Sequence, residues 1–198
     1  MYKVAVLVSG GGTNLQAIID AIKYGKIKSA QIALVVSTNA KAYALTRALE
    51  NGIDTDVFAK KDFESNDVRE AALLQALNEK NIDLVVFAGC MMVLSPQFVD
   101  AWNKPIINVH PSLLPKHGGK GFYGLVPHEA VLAAGEKITG ATVHYIDGGI
   151  DTGGIILQKE VEVLENDTPE TLQKRVMEEA EWQILPKAIE MLAKGEIG

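Results

Sequence analysis

Apolar residues along the chain fall into two patterns that alternate, short continuous runs and longer stripes at helical spacing. Residues 3–8, 31–36, 84–88 and 106–109 are continuous and apolar, which predicts strands buried on both faces, as in a parallel sheet. A shorter strand is expected over residues 55–58. Between these runs Leu15, Ile18, Ile19 and Ile22 mark a helix that stops near Tyr24 and Gly25. Residues 40–50 give a second helix, ended by Asn51-Gly52, and Ala71, Leu74 and Leu77 mark a third over 67–80. Ser95-Pro96 reads as the cap and first position of a fourth, carried through Phe98 and Trp102. Strand–helix alternation as far as residue 110 predicts a doubly wound, mostly parallel α/β sheet with helices on both faces.

Beyond residue 110 the pattern changes. Residues 116–121 are rich in Gly and Lys without periodicity, so a loop is expected there, followed by a short helix over 127–134. Residues 139–146 and 155–163 are β-rich and separated by the glycine-rich segment 147–154. They are expected to pair antiparallel and to form a C-terminal edge, giving a sheet of about seven strands. Thr168-Pro169-Glu170 is a cap and first turn, and Leu172, Val176, Ala180, Ile184, Ala188 and Leu192 form a stripe that packs on the sheet. Pro186 is expected to kink or split that helix. With 198 residues and no repeat or linker, one domain over residues 1–198 is expected.

Composition narrows the setting. The hydrophobic fraction of 47% and charged fraction of 22% are those of an ordinary globular protein. A net charge of -6 argues against a general nucleic-acid binder, which carries a basic face. Cys90 is the only cysteine, so no intrachain disulfide forms and a reducing compartment fits. The apolar run at the N-terminus is too short for a signal peptide or a membrane span. A cytoplasmic protein is the expectation.

Three stretches carry candidate chemistry. Ser9-Gly10-Gly11-Gly12-Thr13-Asn14 joins the first strand to the first helix. Backbone N–H groups in such a turn bind anions, and Thr13 and Asn14 add side-chain donors. No Gly-Lys-Ser/Thr comes after it and the spacing is not that of a dinucleotide fold, so either a single phosphate or a merely tight turn remains. In an extended run, Asn108 and His110 point to one face at the end of a buried strand, where ligands bind in open α/β sheets. Asp151 and Asp147 lie in the glycine-rich segment, also a common turn composition; paired with a histidine, such a carboxylate would raise the imidazole pKa and stabilise its cation. His144 lies within a strand as a partly buried hydrogen-bonder. Met91-Met92-Val93-Leu94 either lines a pocket for a flat heterocycle or packs in the core. The four histidines lack metal-type spacing, so no metal is expected.

Taken together, Asn108-Val109-His110-Pro111-Ser112-Leu113-Leu114-Pro115, Asp151 in its Asp-x-Gly segment and the turn 9–15 resemble the phosphoribosylglycinamide formyltransferase family, over essentially the whole chain. The Asn, His, Asp set is shared by formyltransferases that use 10-formyltetrahydrofolate, including methionyl-tRNA formyltransferase, and by formyltetrahydrofolate deformylase. Those two are expected to need a further domain, for which this length leaves no room. The resemblance implies transfer of a formyl group from 10-formyltetrahydrofolate, as co-substrate, to the amine of glycinamide ribonucleotide. It implies small-molecule partners, without nucleic acid, membrane or metal, in a monomer or homodimer. It places Asn108 and a cationic His110 at the developing oxyanion, with Asp151 holding that proton and ferrying others. It sets Gly12, Thr13 and Asn14 on the substrate phosphate and Met91, Met92, Val93 and Leu94 at the folate. Arg69 is the candidate for the family's basic substrate contact, and His144 supports the site from behind. Two alternatives stand beside this reading, hydrolysis of the folate donor and a non-catalytic nucleotide-binding module.

Overall fold

The computed structural model describes residues 1–198. Strands β1 (Tyr2–Val8), β2 (Ala30–Ser37), β3 (Thr55–Val57), β4 (Leu84–Phe87) and β5 (Ile106–His110) are joined by β6 (Ile138–Tyr145) and β7 (Ile155–Glu162). They form one seven-stranded sheet in the order β3-β2-β1-β4-β5-β6-β7. The first five pair in parallel, while β6 and β7 run antiparallel at the edge, as the alternation along the chain predicts. Helices α1 (Thr13–Lys23), α2 (Tyr43–Glu50), α3 (Asn66–Glu79), α4 (Pro96–Trp102), α5 (Val126–Ala133), α6 (Pro169–Val176) and α7 (Trp182–Ala193) surround it.

The continuous apolar run of β1 is explained by its two covered faces. Val4, Val6 and Val8 share a core with Leu15 and Ile18 of α1 and Leu185 and Ile189 of α7. Ala5 and Leu7, pointing the other way, share a second core with Leu73 and Leu77 of α3 and Phe98 and Trp102 of α4. Alternating side chains on a strand buried from both sides must all be apolar. Burying a large aliphatic side chain such as Leu7 or Ile18 contributes about 1.5–3 kcal/mol, so these two layers fix where the strand ends lie.

The caps are those the sequence predicts. The Ser95 hydroxyl accepts the Phe98 N–H at 3.1 Å, and Thr168 and Thr171 form a reciprocal box at the start of α6. The final helical stretch does break, but five residues before Pro186. Residues Met177–Glu181 form a π-helical turn between α6 and α7, and Pro186 sits inside α7. A π turn closes its hydrogen bonds one residue later than an α turn and so rotates the next stretch of helix. Here it turns Glu181 toward α1, where Asn14 donates to its Oε2 at 2.7 Å. No helix is long and apolar enough to cross a membrane.

Candidate active site

After β1 the chain leaves to build β2 and β3 on one side and returns to build β4 on the other. That reversal opens a crevice at the carboxyl ends of the strands, where open α/β sheets bind ligands. A cleft of about 590 Å³ lies there, and Thr13, Asn14, residues 91–94, Asn108, His110, His144 and Asp151 all line it. Residues scattered from 13 to 181 thus share one space.

At one end, β5 and β6 pair so that Asn108 lies opposite His144 and His110 opposite Thr142. His110 and His144 are buried, 4% and 1% exposed. One nitrogen of each ring is pinned by a backbone carbonyl: His110 Nε2 lies 2.9 Å from His117 O, and His144 Nδ1 lies 2.9 Å from Tyr145 O. A carbonyl only accepts, so each of these nitrogens carries the hydrogen. The remaining nitrogens both face Asp151, at 3.5 Å from His110 Nδ1 to Oδ2 and 3.5 Å from His144 Nε2 to Oδ1. Asn108 Nδ2 donates to His144 Nε2 at 3.1 Å, which leaves its second N–H for another acceptor.

Asp151 holds its place in a left-handed backbone conformation, φ 57°, with Gly119 N–H donating to its Oδ2 at 2.9 Å. Burial pushes its carboxyl up, but the imidazole of His144, the Gly119 N–H and the charge of His110 together hold it below the ordinary value. His110 differs from the sequence expectation. Burial dominates and lowers its pKa, although the His117 carbonyl and Asp151 pull the other way, with His144 adding to the lowering. Asp151 is divided among two imidazoles and a backbone N–H, so it does not offset the cost of a buried cation. The His110 cation is therefore disfavoured by burial, while the Asp151 anion beside it is favoured.

At the other end, the turn after β1 meets the N-terminus of α1, whose cap, Gly12, has φ 73°. No side chain caps this helix. A Cβ at Gly12 would stand 2.6 Å from Ala44 Cβ, so both the backbone and the space require glycine. Asn14 is 7% exposed, and its Oδ1 has no partner in the protein. Between the two ends, residues 91–94 divide: Met92 and Leu94 are buried, while Met91 and Val93 are more than half exposed at the cleft. The segment thus packs in the core through Met92 and Leu94 and also lines the cleft.

The family described as Formyl transferase matches residues 2–189. The chain belongs to the formyl transferase family. A phosphoribosylglycinamide formyltransferase of Haemophilus influenzae is 40% identical over 197 residues, spanning 100% of this chain and 90% of that one. The trifunctional purine biosynthetic protein adenosine-3 of Drosophila pseudoobscura pseudoobscura is 43% identical across 98% of this chain, which spans 14% of that protein's length. The structure of glycinamide ribonucleotide transformylase 1 from Symbiobacterium toebii matches with a TM-score of 0.91 at 40% identity, covering 98% of this chain and 89% of that one.

Within this formyl transferase Arg69 lies apart from the residues that line the cleft. It is 7% exposed, donates from Nη2 to Asn66 Oδ1 at 2.8 Å, and its Nε is unpartnered. No group of three or more His, Cys, Asp or Glu side chains is placed to hold a metal ion. Two cleft residues carry no site signal in the sequence. Glu181 is pushed up to about 7 by burial, against the Asn14 hydrogen bond; it stands beside a helical stripe and only the π turn aims it inward. His128 is fully buried with both ring nitrogens unpartnered, and burial, then the neighbouring His110, lower its pKa to about 4. Its position after Pro127 in a short helix points to nothing but a helix start.

Proposed function

We propose that this formyl transferase moves the formyl group of 10-formyltetrahydrofolate to the primary amine of N1-(5-phospho-D-ribosyl)glycinamide, in purine synthesis. The observation that carries this reading is a single cleft with uncapped backbone donors at one end and a proton-poor His–Asp–His cluster at the other. The family brings a folate-type formyl donor. The apolar faces of Met91 and Val93 suit its flat ring, and Gly12, Thr13 and Asn14 suit the substrate phosphate.

The amine attacks as free base, and the formyl carbon becomes tetrahedral with a negative oxygen. The free N–H of Asn108 donates to that oxygen, where a fixed donor contributes roughly 3 kcal/mol. His110 Nε2 is the second donor. The His117 carbonyl 2.9 Å away already holds an oxygen against it, in the position a substrate oxygen would take on loop opening. The proton lost by the attacking nitrogen passes through water to Asp151 and His110, forming the imidazolium that the free protein disfavours. The same proton then returns to the departing folate nitrogen, so donor and acceptor exchange one formyl group for one hydrogen. His144 orients Asn108 by accepting from its amide. Holding the phosphate remotely brings the amine to the formyl carbon.

The deciding assay supplies the folate donor with and without the ribonucleotide and identifies the formylated product. Formylated glycinamide ribonucleotide supports the proposal. Release of formate at the same rate without the ribonucleotide would mean hydrolysis instead, and binding of both ligands without turnover would mean a non-catalytic module.

A further inference from the structure

The glycine turn is held from behind by a residue that does not reach the cleft. Its two outward carbonyls are both taken by α2: Gly10 O accepts the Ala44 N–H at 3.1 Å, and Gly11 O accepts Arg47 Nε at 2.9 Å. A peptide unit is planar and trans, so its N–H points opposite to its C=O. With both carbonyls directed to α2, the Gly11 and Gly12 N–H groups are directed away from α2, in a turn followed at once by Thr13 and Asn14, which line the cleft. The unpartnered, buried Asn14 Oδ1 on that side shows a polar end still without its complement.

Arg47 is itself fixed. Its Nη1 donates to Gln16 Oε1 at 3.0 Å, Gln16 is tied to Asp20 at 3.0 Å, and the guanidinium lies 5.0 Å from the Tyr43 ring centroid. The hydrogen-bond partners of the guanidinium are a carbonyl and an amide, both neutral. Its positive charge thus stands one peptide unit behind the donors of the turn. A cation bonded to a carbonyl draws electron density through that amide and strengthens its N–H as a donor.

We propose that Arg47 is a positioning residue for the acceptor's phosphate, orienting and polarising the Gly11–Gly12 peptide whose N–H contacts it. The inference rests on the reading of the turn as a phosphate-monoester site. It adds that affinity for the phosphate depends on a charge that never touches the substrate.

The test compares glycinamide ribonucleotide with its dephosphorylated counterpart as acceptors at saturating folate donor, in wild type, Arg47→Met and Arg47→Lys. Wild type is expected to prefer the phosphorylated acceptor strongly. Arg47→Met should lower kcat/KM for that acceptor about tenfold, the scale of one charge-assisted hydrogen bond weakened. It should leave kcat/KM for the dephosphorylated acceptor and KM for the folate unchanged. Arg47→Lys, which keeps the charge but reaches only one of the two partners, should recover part of the loss. Should the methionine variant melt far below wild type, the lysine variant and Gln16→Met, which frees one side of the guanidinium, decide by the same ratio. An equal loss for both acceptors makes Arg47 merely structural and overturns the inference, as does an unchanged preference. If wild type itself makes no distinction between the acceptors, the phosphate reading of the turn falls first and the inference falls with it.

Discussion

The two ends of the cleft are built on opposite principles. At the β5–β6 end the groups that line the cleft are side chains closed onto one another, two buried imidazoles facing one carboxylate that is slightly more exposed. At the β1–α1 end the groups proposed to bind are backbone N–H donors, which do not titrate and which no side chain caps. The contrast reflects the two tasks. In the proposed reaction a phosphate is held identically before and after transfer, whereas the reacting centre gains a proton and loses it again. Fixed dipoles suit the first, and a cluster balanced between protonation states suits the second.

This comparison breaks most directly at the reacting end. Asp151→Asn and His110→Ala are expected to lower kcat by ~10²–10⁴ with ribonucleotide KM little changed; steady-state kinetics check both, and near-normal turnover would remove the cluster from the mechanism. Next in size, Gly12→Ala forces a side chain into φ 73° and against Ala44. It should raise ribonucleotide KM roughly a hundredfold, the cost of losing an oriented anion site, while folate KM stays put. Equal increases in both would deny the division of labour.

Titration sharpens the comparison further, because each end holds one group displaced by more than two pKa units. Glu181 at the turn has a folded pKa of about 7, above 4.5, so the folded state holds its proton longer. Stability is lost as pH rises from 4.5 to 7, by about 3 kcal/mol. His128 near the reacting end has a folded pKa of about 4, below 6.5. Its cost is absent above 6.5 and grows to about 3 kcal/mol as pH falls to 4. Between pH 4.5 and 6.5 the two slopes oppose. Relative to wild type, Glu181→Gln should therefore show stability rising with pH, and His128→Leu should show it falling. Urea denaturation at about pH 4.5, 5.5 and 6.5 measures this, and profiles parallel to wild type would mean that neither group is displaced. The smallest effect belongs to the wall between the ends. Val93→Ala should raise folate KM by about fivefold, near 1 kcal/mol of apolar contact, and leave ribonucleotide KM alone.

Much of this is legible along the chain. The continuous runs of β1, β2 and β4 read as doubly covered strands, since a polar position in them would face one core or the other. The Ser95 and Thr168 caps and the antiparallel edge are equally plain, because each depends on residues close in sequence or on strict alternation. Of the site, Asn108 and His110 share a face by strand period alone. What the chain does not show is whatever depends on distant neighbours. Asp151, far along the chain, is expected to raise the His110 pKa; burial by the surrounding layers outweighs it. Arg69, a candidate substrate contact by the family resemblance, is buried in α3 and is not among the residues lining the cleft. Glu181 is invisible because one π turn, not its place in the helical stripe, decides its direction.

By itself, then, the sequence determined the order of strands and helices, the glycine turn and the shared face of Asn108 and His110, all set by local periodicity, backbone geometry and residue type. Only the tertiary structure decided which side chains meet, how far each is dried out and therefore which proton each holds. Periodicity acts over a few residues, whereas desolvation and charge act through space, between atoms that the chain brings together only once it has folded.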